Sequence, residues 1–118
     1  MDRKEANLAF HNAERLKSNL FLVSAVLDRL ATLTPVRFEG GREVSKGVFD
    51  ALRTELNIVR RYIEPAETEA IESKLSEVEA QIETHDYEKA REYLAQAFSQ
   101  VTSVSSKHVG LLMEEDLI

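Results

Sequence analysis

Residues 6–30 read ANLAFHNAERLKSNLFLVSAVLDRL, and the spacing of their apolar side chains decides the fold. Ala6, Ala9, Ala13, Leu16, Leu20, Val23, Leu27 and Leu30 recur at alternating intervals of three and four. That is the period of a helix with one continuous apolar seam. It predicts a single helix over about residues 3–33, about 45 Å long at about 1.5 Å per residue. Thr34-Pro35 ends it, because the residue before a proline is pushed out of the α region.

The same period recurs three more times. Phe49, Leu52, Leu56, Val59 and Ile63 predict a second helix from about Lys46 to Ile63, with Ser45 as a candidate N-cap. Ile71, Leu75, Val78 and Ile82 predict a third, opened by Pro65, whose missing N–H costs nothing in a first turn. Tyr87, Ala90, Leu94, Ala97, Val101, Val104, His108 and Leu111 predict a fourth, ending near Met113. Thr84 or Asp86 can cap it. Glu114 to Ile118 reads as a flexible acidic tail.

Residues 34–45, TPVRFEGGREVS, are the one irregular stretch. Val36 and Phe38 alternate with polar residues and Gly40-Gly41 is a hairpin-type turn, so this piece is expected to be a loop or a small β-hairpin. The architecture expected is all-α, an antiparallel up-and-down four-helix bundle in one domain over residues 1–118. The alternative is three long helices with the middle one kinked at Pro65. The larger apolar set changes phase from the second helix to Ile71, Leu75 and Val78, which favours a true turn, although a stutter in one long helix absorbs a similar shift.

Composition narrows the function classes. The 118 residues include no cysteine, which removes disulfides, thiol catalysis and Cys-ligated metals. The densest apolar run, Leu20 to Leu27, is far short of the about 20 residues a membrane span needs. With no signal-peptide pattern at Met1 to Glu5, a soluble, cytoplasmic protein without a membrane partner is expected. The net charge of −6 is uneven: residues 64–92 carry ten acidic and three basic groups, while residues 1–63 are mildly basic. Such asymmetry can orient self-association.

Site chemistry is sparse. His11 and Glu14 stand one helical turn apart, but the further inward carboxylates of a helical di-metal site are missing, so they read as a solvated pair. His108 falls on a seam but close to a helix end, where a cationic imidazole is favoured. GGREVSKG, residues 40–47, lacks the glycine before lysine of a phosphate loop. Residues 86–97, DYEKAREYLAQA, resemble the second helix of a tetratricopeptide repeat. No second copy occurs and residues 66–83 lack the Trp, Gly and Tyr of the first helix, so small residues at a helix contact account for the pattern.

Two surfaces remain. Leu8, Phe10, Phe21, Leu22, Ala25 and Val26 lie off the first seam, which makes the helix apolar nearly all round from residue 20 to 27. They are the candidate intersubunit or partner surface of a homodimer. Arg37, Arg42, Arg53, Arg60 and Arg61 form a small candidate basic patch, to bind nucleic acid or the acidic third helix of a neighbour. Asp50 and Glu64 are placed to pair with Arg53 and Arg60 along the helix instead, and no concentrated basic stripe exists. The sequence therefore reads as a non-enzymatic, self-associating interaction module without cofactor or metal, with a nucleic-acid-associated regulator as the alternative.

Overall fold

Asp2 starts the first helix by accepting the Glu5 N–H on its Oδ1 at 2.7 Å, an N-cap that satisfies one of the free amides of the first turn. The structure, a computed structural model, describes the backbone of residues 2–117 and the side chains of residues 2–107. Helix α1 spans Arg3–Thr32, α2 Pro35–Val59, α3 Pro65–Glu83 and α4 Tyr87–Leu117.

The register of cross-helix contacts shows the topology. Asp28 meets Arg91, Phe21 meets Phe98, and Glu14 meets Ser105, so α1 and α4 run antiparallel. Arg42 meets Glu83 and Arg53 meets Glu72, so α2 and α3 do as well. Asn19 donates to Glu55 between α1 and α2, and Lys74 sits over the Tyr93 ring between α3 and α4. The result is the up-and-down four-helix bundle, measuring 59 × 21 × 21 Å.

Its axis is lined by the predicted seams. All eight α1 residues are buried, joined by Phe49, Leu52 and Leu56 of α2, the four apolar residues of α3, and Leu94, Ala97, Val101 and Val104 of α4. Burying each Leu, Ile or Phe of this set contributes about 1.5–3 kcal/mol.

The stretch 34–45 is a correction. It is neither loop nor hairpin, because α2 begins at Pro35 and runs straight through it. Proline here occupies the first helical position, and the Thr34 carbonyl accepts the Arg37 and Phe38 amides. The helix also explains why Val36 is 89% exposed while Phe38 is buried: the two do not share a face. Ser45 is buried mid-helix and caps nothing. Gly41 has a packing reason to be glycine, since a Cβ there would stand 2.6 Å from Leu33 Cδ1 and 2.8 Å from Leu30 Cδ2.

At Pro65 the chain turns. Residues 60–64 leave the α-helix, and the Glu64 N–H donates to Glu67 Oε1 at 3.1 Å to open α3, so the three-rod alternative does not apply. The α3–α4 turn is tighter. His85 has φ 60°, its N–H reaches the Ile82 carbonyl and the Asp86 N–H the Gln81 carbonyl, which is a Schellman C-cap. Asp86 then caps α4 by accepting the Lys89 N–H at 3.1 Å. Helix α4 continues to Leu117, past the expected stop at Met113. The side chains of His108 and of Glu114 to Ile118 lie outside the described residues.

Candidate interaction surfaces

The six off-seam residues of α1 divide between flanks. Phe21 faces α4: its ring packs edge-on against Phe98 at 4.7 Å, beside a shallow groove that includes Leu94, Ala95 and Ser99. Ala25 and Val26 face α2, where they line an apolar groove with Leu33, Gly41 and Val44. Phe10 is half-buried with its ring 5.4 Å from the His11 ring, and Leu8 is exposed. Phe21 and Leu22 remain 63% and 62% exposed. Helix α1 is therefore uncovered on its outer side, not wrapped by the other three.

The five arginines are not one patch. Arg53 Nε donates to Glu72 at 2.7 Å, and its Nη2 meets Glu79 and Ser76, so it bridges α2 to α3 instead of pairing with Asp50 on its own helix. Burial works against its charge, but the hydrogen bonds it donates to Glu79 and Glu72 outweigh that and hold the guanidinium above its ordinary pKa. Arg42 is clamped between Glu83 at 2.9 Å and Glu39 at 2.7 Å. Arg37 stands at one end of α2 and Arg60 and Arg61 at the other, about 35 Å away by helical rise. The acidic α3 is thus paired with two arginines of α2 in its own chain.

Polar groups near the core serve the fold. Glu14 accepts the Ser105 hydroxyl at 2.5 Å and Lys17 Nζ at 3.2 Å. These partners, Ser105 foremost, hold its carboxyl below the usual range against a smaller opposing effect of burial. Glu14 is thereby engaged with α4 and Lys17, while His11 is exposed. No group of three or more His, Asp or Glu able to hold a metal occurs among the described residues. No helix among them is long and apolar enough to cross a membrane.

One surface escaped the sequence reading. Val36, Val44 and Ile58 are exposed on the outer side of α2, at 89%, 68% and 48%. The signal was present as intervals of eight and fourteen, which return to one side of a helix, but it shows only once residues 35–45 are read as helix. No family model, curated protein or solved structure matches this chain.

Proposed function

We propose that this chain is a non-enzymatic interaction module whose first partner is another copy of itself, associating through uncovered helix faces. The observation that carries the reading is the exposure of Phe21 and Leu22 in the middle of α1, which stay 63% and 62% open although the Phe21 ring touches Phe98 of α4. Apolar side chains of this size, adjacent and uncovered, mark contact surfaces in folded proteins. Protein chemistry of this kind needs no catalytic group, and the polar clusters described are all engaged in helix-to-helix bonds.

The nucleic-acid alternative draws less support, because two of the five arginines are neutralised by α3 and the rest are split between the ends of α2. Sedimentation across a concentration series tests the leading reading. A dimer is expected for the natural chain and a folded monomer for the Phe21→Glu, Leu22→Glu double variant. A natural chain that stays monomeric throughout refutes self-association.

A further inference from the structure

Taken alone, α2 is a poor helix. It holds Gly40, Gly41 and Gly47, three of the four glycines of the chain, and glycine is the weakest helix former after proline. Thr34 makes no side-chain cap for it, whereas Asp2, Glu67 and Asp86 each accept a backbone N–H at the starts of α1, α3 and α4. Its first turn holds no acidic residue and its last turn no basic one, so nothing there complements the helix dipole. Packing is what keeps α2 helical.

That packing is uneven. The α1 and α4 backbones run close together, with Ala9 and Ala13 buried on one and Ala90 and Ala97 on the other, and α4 also lies close to α3. The α2 and α3 backbones approach at only a few positions. Bulky side chains hold them apart: Phe49, Leu52 and Leu56 on α2, Ile71, Leu75 and Ile82 on α3, all buried. Two arginines span the gap. Arg53 reaches Glu72, Ser76 and Glu79, and Arg42 reaches Glu83. Each side chain is only 26% exposed, so the stems roof the core while the charged heads make the bridge. Helix α1 holds α2 in another way. Gly41 lies against Leu30 and Leu33 at one end, and Glu55 takes both Asn19 and Arg15 further along.

We propose that α2 is a latched strap: it rolls away from α3 on its contact with α1 while α1, α4 and α3 stay packed, and Arg42 and Arg53 are the latch. The non-helical residues 60–64 supply the slack at its C-terminal end. Opening is a sub-global event of the native chain, distinct from complete unfolding. It uncovers Phe49 and Leu52 on one lip and Ile71 and Leu75 on the other, beside the released carboxylates of Glu72 and Glu79. The chain thus carries an apolar groove with an acidic border that the closed bundle hides. This groove is separate from the Phe21 and Leu22 surface, so it does not rest on the self-association reading.

Segment-resolved hydrogen exchange on the full chain, at a concentration where it is monomeric, tests the strap. Amides of residues 45–56 are expected to exchange faster than those at the centres of α1, α3 and α4. Arg53→Ala is expected to speed exchange in α2 about 10-fold, because the latch is lost on opening. Ser105→Ala weakens the α1–α4 seam, which stays closed when the strap opens, so it should leave α2 exchange unchanged while speeding α4. Arg53→Met keeps the stem and removes the charge, and should behave like Arg53→Ala. Equal protection of all four helices, or a Ser105→Ala effect as large in α2 as in α4, means that the bundle opens only as a whole and overturns the strap. Natural exchange rates in Arg53→Met overturn the latch, since packing of the stem would then do its work.

Discussion

Arg53 reaches across the α2–α3 seam to Glu72, Nε to Oε1 at 2.7 Å, and its Nη2 extends the bridge to Glu79. This arginine sits where a basic patch was expected, yet its charge is spent holding two helices of the same chain together. Arg42 does the same at the other end of the seam with Glu83.

Removing Arg53 leaves two half-exposed carboxylates facing each other without their cation. Arg53→Ala is expected to lower stability by about 1–2 kcal/mol, between an exposed pair and a buried charge-assisted bond. Urea unfolding measures it. Because the remaining arginines are scattered, neither chain should be retained on heparin at low salt. Retention of the natural chain and its loss in Arg53→Ala would restore the nucleic-acid reading.

The Glu14–Ser105 bond ties α1 to α4 and predicts a pH dependence. Glu14 is depressed in the folded chain below its ordinary value of 4.5. Its contribution is therefore present above the unfolded pKa and is lost as pH falls through the lower, folded one. Ser105→Ala should be less stable than the natural chain at pH 7, and the gap should narrow on acidification through that window. Thermal melts at a series of pH values would show it; a gap that widens in acid contradicts the assignment.

Three glycines in one helix make a controlled series. Gly40 and Gly47 face open space, so alanine at either should stabilise the chain by up to about 1 kcal/mol when measured at concentrations where it is monomeric. Alanine at Gly41 gains the same propensity but pushes on Leu30 and Leu33, and that crowding costs about 1–3 kcal/mol unless their ends can swing away. Gly41→Ala should be the least stable of the three. Equal effects at all three positions would show that α1 does not approach α2 as closely as described.

His85 holds a left-handed conformation and lays its ring 4.4 Å from that of Phe38, closing the end of the bundle. Its two roles separate by substitution. Alanine loses the ring and keeps the backbone strain; glycine loses the ring and relieves about 1 kcal/mol or more of strain. His85→Gly should thus melt above His85→Ala. Equal melting temperatures would mean that the turn carries no strain.

Much of the fold was legible because a three-four spacing has few other physical meanings. The seams of α1, α3 and the part of α4 with described side chains name the core side chains almost without error, and Pro65 was read correctly as an opener. Pro35 was read only as a terminator. The same residue ends one helix and begins the next two positions after Leu33, and with Gly40-Gly41 following it, local propensity pointed to a turn. Tertiary packing overrode that preference: Phe38 and Ser45 carry the core seam toward Pro35, and Gly41 lets α1 come close.

What the chain determined alone was which side of each helix must leave water, since burial depends on pattern and pattern is written residue by residue. What only the assembled bundle decided was which charges find each other. Arg53 and Glu72 are 19 residues apart, and no local rule prefers that pairing to Asp50 three residues away. The difference lies in distance through space: apolar periodicity acts within a helix, whereas an ion pair or an uncovered face exists only after the neighbours have taken their places.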